Sequence, residues 1–225
     1  MNPNIVPNRS TVYYRDIPAL ADASVRTVLA VRHSIRESLR GSIDPGLTAE
    51  GIELAKRCGR ELAKLGDVSF GVSPRLRTRQ TARYMMEGGG FPVRPVMECP
   101  ELVDTSIFQQ ETDLAEMLRT RSTETSLREY YATGHTAGLK DLKPFGEGLA
   151  RYLTEMEFET GRTVLVTHDV LIIDILMALD VRVFTPEDWC GYIHGALLTL
   201  DRSGVWTASY AVPDHDEGRT SRLFV

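Results

Sequence analysis

The stretch Val28-Leu29-Ala30-Val31-Arg32-His33 is a short apolar run that ends abruptly on two basic side chains. Four continuous apolar residues are the pattern of a strand buried on both faces. The pattern returns at Val164-Leu165-Val166, which ends in Thr167-His168-Asp169. A related run, Val68 to Val72, leads into Ser73-Pro74 and then Arg75 and Arg77. Helical stretches lie between these runs. Thr48 is placed to cap a helix in which Ile52, Ala55, Leu62 and Leu65 recur at helical spacing until Gly66. Pro74 suits a helix's first turn and opens a second helix, to about Met86. Glu147–Phe158 and Val170–Leu179 supply two more, and Pro92–Met97, Ala196–Leu200 and Val205–Tyr210 read as further strands. Strands alternating with helices predict an α/β fold. Its form is a three-layer α/β/α sandwich with a mostly parallel central sheet, to which the last two strands add an antiparallel edge.

Outward from this frame, residues 1–24 contain Pro3, Pro7 and Pro18 and no periodicity, and read as a surface-lying arm that can pack as an edge. Residues 25–225 form one domain, with a polar helical insertion at about 104–145 broken at Gly134, Gly138 and Pro144. Within the insertion, Asp113–Arg119 and Ser126–Tyr131 are the expected helices. A formal charge of −5 and 42% hydrophobic residues describe a globular protein with no whole-surface attraction to nucleic acid or anionic membranes. Cys58, Cys99 and Cys190 are odd in number and lack CxxC spacing, so they read as reduced thiols. No apolar run reaches signal-peptide or membrane-span length, and a cytoplasmic location is expected.

Ligands of open α/β sheets collect at the carboxyl ends of the strands. There the runs above deliver two histidines, at least two arginines and a carboxylate, a set suited to phosphoryl chemistry. A phosphate monoester is a dianion that guanidinium forks bind through charge-assisted hydrogen bonds, and Arg32 and Arg77 are the candidates. An imidazole can attack phosphorus, and the departing alkoxide then needs an acid; His33 and an aspartate can fill these roles. Arg75, Arg77, Arg79 and Arg83 crowd the first turns of one helix, where the macrodipole disfavours cations and a bound anion would relieve the conflict. Arg75, Arg79 and Arg83 are spaced four apart and are expected to form a solvated face; Arg77 lies off that row.

With these residues in place the sequence resembles the histidine phosphatase superfamily, also called the phosphoglycerate mutase-like family, over about Val28 to Leu200. The carriers are Arg32-His33-Ser34, the Leu47-Thr48 and Gly51 helix start, the run Ser73-Pro74-Arg75-Leu76-Arg77-Thr78-Arg79-Gln80-Thr81-Ala82, and Val166-Thr167-His168. The resemblance implies a phosphoglycerate mutase-like fold. It also implies that His33 is the phosphorylated nucleophile and that Arg32, Arg77 and His168 are the other three groups of the phosphate pocket. Arg36 matches a further phosphate-binding arginine of the acid phosphatase branch, in which an aspartate directly after the second histidine, here Asp169, is the proton donor. The mutase branch instead carries its acid after the third strand, where Asp104 lies. Asp169 is preferred, with Asp104 as the alternative. Ser34 stands where the family has glycine. It either narrows the pocket or donates its hydroxyl to phosphate.

The resulting expectation is a metal-independent phosphomonoester hydrolase that uses no cofactor, works through a phosphohistidine and acts on a small-molecule or protein phosphomonoester. The alternatives are a phosphomutase of the same family and a non-catalytic phospho-ligand binding module. No HxH, DxD or HExxH spacing suggests a metal. His135 and His215 are expected to be satisfied structural histidines, and His194 is a weaker candidate for lining the pocket. Trp189 and Tyr192 are expected in the core rather than in the pocket wall, and Asp174 should face solvent or cap a neighbour.

Overall fold

The computed structural model describes residues 3–38, 42, 44–110 and 123–216. Its strands are β1 (Ile5–Tyr13), β2 (Arg26–Arg32), β3 (Ser69–Val72), β4 (Met97–Glu98), β5 (Arg162–Thr167), β6 (Gly195–Leu200) and β7 (Trp206–Val212). They form one sheet in the order β1-β7-β6-β2-β5-β3-β4. The neighbours β2, β5, β3 and β4 run parallel, whereas β6 is antiparallel to both β2 and β7. The helices are α1 (Ile17–Ala23), α2 (Ala49–Leu62), α3 (Leu76–Gly89), α4 (Thr123–Thr133), α5 (Leu142–Glu155) and α6 (Asp169–Ala178).

The central strands are apolar throughout because both faces are covered. On β2, Leu29 and Val31 pack with Val164 and Val166 of β5 under Ala55, Cys58 and Leu62 of α2 and Ala82 and Met85 of α3. Val28, Ala30 and Leu165 point the other way, into a second core with Leu149 and Leu153 of α5 and the buried face of α6. A period of two thus feeds two helical layers, the predicted sandwich.

Four local expectations change. The N-terminal segment packs as an edge of the sheet, as its sequence allows, but lies deeper than a surface arm: β1 pairs in parallel with β7, and Tyr14 and Ile17 just after it are fully buried. Pro7 is tolerated within β1 because an edge strand leaves one row of donors unpaired, and Pro18 sits in the first turn of α1. The strand expected at 92–97 shrinks to Met97–Glu98, since Pro92 and Pro95 cannot donate to a ladder. Pro144, read as a break, sits in the first turn of α5, where its missing N–H costs nothing, so that helix starts five residues earlier than expected. The helix expected at Asp113–Arg119 lies outside the described residues, while Ser126–Tyr131 falls within α4.

The fourth change concerns Asp174, which faces neither solvent nor a cap. It is fully buried on α6, with the Tyr130 hydroxyl donating to its Oδ2 at 3.4 Å. Burial pushes its carboxyl well above the ordinary range, against the lowering pull of Tyr131 and Tyr130, so it is protonated in the folded chain. The unfolded carboxyl ionises above pH of about 3.9, so Asp174 costs stability progressively as pH rises past that point. Asp174→Asn is therefore expected to raise Tm near pH 7.5 and to give no gain near pH 4, a difference that calorimetry at the two pH values reads directly. Among the described residues no helix is long and apolar enough to cross a membrane.

Candidate active site

Three adjacent parallel strands, β2, β5 and β3, end at the same edge of the sheet, and the ladder carries on past their ends. The His33 N–H donates to Thr167 O at 2.9 Å, and the Ser73 N–H donates to Val166 O at 3.0 Å. These bonds set His33, His168 and Ser73 side by side although they are far apart in sequence. The two imidazoles meet edge to face, with ring centroids 5.4 Å apart.

His33 is held in one tautomer. Its Nδ1 lies 2.7 Å from the Ser34 carbonyl oxygen, which can only accept, so Nδ1 carries the proton and Nε2 keeps its lone pair. Burial, and then the positive surroundings of His168, Arg32 and Arg77, hold its pKa well below the ordinary imidazole value. The ring is therefore neutral and nucleophilic at neutral pH.

His168 is also depressed well below the ordinary value, by burial first and by Arg77 next. Its Nε2 lies 2.8 Å from Ser73 Oγ, and its Nδ1 lies 3.4 Å from Arg77 Nη2. A guanidinium only donates, so Nδ1 is the bare nitrogen and Nε2–H donates to the serine. Ser73 Oγ is steadied in turn by Thr78 Oγ1 at 3.2 Å.

Arg77, 4% exposed, donates from Nη2 to Asp104 Oδ2 at 2.6 Å and from Nη1 to Asp44 Oδ1 at 3.3 Å. Asp44 also receives the Leu76 N–H at 3.0 Å, at the amino end of α3. The helix start crowded with arginines is thus already answered by carboxylates, Asp44 and Asp104, of this same chain. Arg75 is not part of a solvated face. Its Nε and Nη2 each reach Asp104 Oδ1 at 3.1 Å, because the N-cap position turns it back toward the strand edge. Asp44 is a site residue that none of the sequence motifs marks; an acidic side chain ahead of a cationic helix start is the signal available for it.

Arg32 is fixed on three sides. Its Nη1 donates to Cys190 O at 2.6 Å, its Nη2 pairs with Asp169 Oδ2 at 3.1 Å, and its guanidinium lies over the Tyr192 ring at 4.1 Å. Asp169 Oδ2 also accepts the Trp189 indole N–H at 2.8 Å. Burial alone would raise the Asp169 carboxyl, but Arg32, the indole N–H and the neighbouring histidines bring it down to about 2. Trp189 and Tyr192 therefore support the pocket, and Trp189 is at the same time core, edge-on to Tyr131 of α4 at 5.2 Å. Arg32 Nε and Arg77 Nε are buried and without a hydrogen-bond partner among the described residues.

Ser34 is not aimed at phosphate. Its hydroxyl donates to Gly51 O at 2.7 Å and its N–H donates to Thr81 Oγ1 at 3.0 Å, so both donors are committed to α2 and α3. Its backbone is outside the left-handed region, so nothing there requires glycine. The missing Cβ is needed at Gly51 instead, where it would overlap the Ile35 carbonyl. Ser34→Gly should lose a buried hydrogen bond and gain unfolded-state freedom, costing about 1–2 kcal/mol in urea melts. Arg36 is half-buried and donates to Glu37 O at 2.9 Å; its charge is felt at Arg77. His194 bonds to the Tyr210 hydroxyl in the core rather than lining the pocket, and His135 and His215 pair with Asp141 and Glu61 at 2.6 Å each.

The family model described as histidine phosphatase superfamily (branch 1) matches residues 28–187. Among solved structures, a phosphoglycerate mutase from Bacillus anthracis is similar at TM-score 0.56 and 19% identity, covering 84% of this chain and 94% of its own. A mycobacterial glucosyl-3-phosphoglycerate phosphatase is similar at TM-score 0.54 and 20% identity, with coverages of 83% and 98%. A phosphoserine phosphatase from Entamoeba histolytica, solved with 3-phosphoglyceric acid, aligns at TM-score 0.56 and 18% identity, with coverages of 84% and 98%. At these identities the likeness concerns the fold. No curated protein sequence is matched significantly. Since the family model spans most of the length, from the first buried strand past His168, the chain belongs to the histidine phosphatase superfamily.

Proposed function

We propose that this protein is a metal-independent phosphomonoester hydrolase that works through a phosphohistidine at His33. The observation that carries the reading is the neutral, tautomer-fixed His33 ring, its Nε2 lone pair free, with His168, Arg32 and Arg77 around it. The two orphaned arginine Nε–H groups are the donors that phosphoryl oxygens would satisfy. In the first step His33 Nε2 forms a bond to phosphorus as the ester P–O bond breaks, and the leaving oxygen takes a proton from a carboxylic acid. In the second, water attacks phosphorus and returns a proton to that carboxylate, and the N–P bond breaks. Arg32, Arg77 and His168 stabilise the transferring group, and Arg36 adds long-range positive charge. His168 takes up a proton at Nδ1 when a dianion faces it, and so becomes a donor.

We assign the acid to Asp104 rather than to Asp169. A carboxyl held at about 2 has no proton to give at ordinary pH, and its Oδ2 is engaged by Arg32 and Trp189 while its Oδ1 accepts the Val170 N–H. Asp104 reaches the pocket only through arginines that a phosphate would claim. Phosphoryl oxygens that take Arg77 would release Asp104 Oδ2 from its 2.6 Å pair and leave that carboxyl group beside the leaving oxygen. Asp169 then acts as the clamp that aims Arg32. Asp169→Asn should raise KM for phosphomonoesters by roughly tenfold while kcat changes less, for alkyl and aryl esters alike.

The test is hydrolysis of para-nitrophenyl phosphate from acid to neutral pH in EDTA. Phosphate release that resists EDTA and needs no acceptor alcohol supports the hydrolase; nitrophenol release that depends on an acceptor alcohol, with the phosphoryl group passed to that alcohol and no free phosphate formed, indicates a mutase, and stabilisation by phosphate without turnover indicates a binding module. Three buried free thiols, Cys58, Cys99 and Cys190, suit the proposed cytoplasmic setting.

A further inference from the structure

Outside the phosphate pocket, a groove of about 700 Å³ opens between α3 and the segment 90–98 that leads into β4. Its walls are apolar: Val72, Met86, Phe91, Val93 and Val96. Val93 is 98% exposed, and Val96 and Met97 beside it are also exposed. The prolines that shorten β4 are what hold this segment off the sheet and leave the groove open.

The charges around the groove are unequal in their commitments. Glu87 is bridged to Lys56 at 2.8 Å, Glu98 takes the Arg79 guanidinium, and Arg94 is held by Asp67 at 3.0 Å. Arg83 has no carboxylate partner among the described residues; its guanidinium lies only near the Tyr84 ring, at 5.5 Å. The carboxylates of the rim are thus neutralised and one lining guanidinium is not. A mostly apolar concavity of this size with one polar anchor has the build of a small-molecule site. A guanidinium fork is matched by a carboxylate.

We propose that this groove binds a small amphipathic anion, a carboxylate on an aliphatic or aromatic body. The head pairs with Arg83 and the body lies against Met86, Phe91 and Val93. The inference is independent of the catalytic reading, because none of these residues belongs to the phosphate pocket.

The full chain is titrated with 1-anilinonaphthalene-8-sulfonate, an aromatic monoanion whose fluorescence reports apolar contact, with decanoate as competitor. Saturable binding is expected, displaced by decanoate, unaffected by decyltrimethylammonium and unaffected by inorganic phosphate. Arg83→Glu and Val93→Glu, both at exposed positions, should each weaken the probe by about tenfold without moving thermal unfolding. The proposal is overturned by an absence of saturable binding, by equal competition from the cation, by displacement with phosphate, or by unchanged affinity in both variants. It is also overturned if the chain sediments as a dimer that Arg83→Glu dissociates, since the occupant would then be a second copy.

Discussion

Replacing His33 by alanine is expected to lower kcat/KM for para-nitrophenyl phosphate by at least about 10⁴-fold while leaving the fold intact, because the variant has no atom that can bond to phosphorus. The side chain's polar contact is with the adjacent Ser34 carbonyl, so its loss unties no distant element. Circular dichroism and Tm close to wild type, together with a missing acid-labile phosphoenzyme, would establish the role. The wild-type pH profile is a second readout. Since burial and neighbouring cations depress the His33 pKa, its nucleophilic form persists below pH of about 6.5, where an ordinary imidazole would already be protonated. Loss of kcat/KM on acidification should therefore begin below that pH. An alanine variant that keeps phosphatase activity would remove the phosphohistidine mechanism altogether.

Asp104→Asn should slow hydrolysis of an alkyl phosphate by about 10²–10⁴-fold and that of para-nitrophenyl phosphate far less. The alkoxide needs a proton to depart, whereas nitrophenolate scarcely does. Asn keeps the shape and one acceptor toward Arg77, which limits the effect on binding. Comparison with Asp169→Asn on the same pair of substrates decides the assignment. A leaving-group-dependent loss at Asp169, and none at Asp104, would return the acid to the residue that follows the second histidine.

Much of this site was legible from residue order. His33, His168 and Arg77 could be placed because each follows a buried strand, and buried strands announce themselves by continuous apolar runs with reactive residues just beyond. Arg32 was found the same way. The roles of the carboxylates were not legible. Asp169 and Asp104 are both acids near strand ends, and what separates them is the company each keeps: an indole N–H and Arg32 for one, Arg75 and Arg77 for the other. Those partners come from distant parts of the chain. Ser34 is a similar case, since its hydroxyl direction depends on where α2 packs. Asp174 was misplaced for a related reason. A carboxyl in an apolar helix looks like a solvent-facing exception until the tyrosines of α4 close over it.

By itself the sequence determined the alternation of buried strands and helices, and with it the sheet edge where the chemistry gathers, because hydrophobic period and strand ends are local properties. It also determined which side chains could attack phosphorus or bind its oxygens. Only the tertiary structure decided which imidazole nitrogen is free, which aspartate is locked as an anion, and which serine is spent on packing. Each of those depends on a partner brought within about 3 Å by long-range folding, and hydrogen bonds form only at that range.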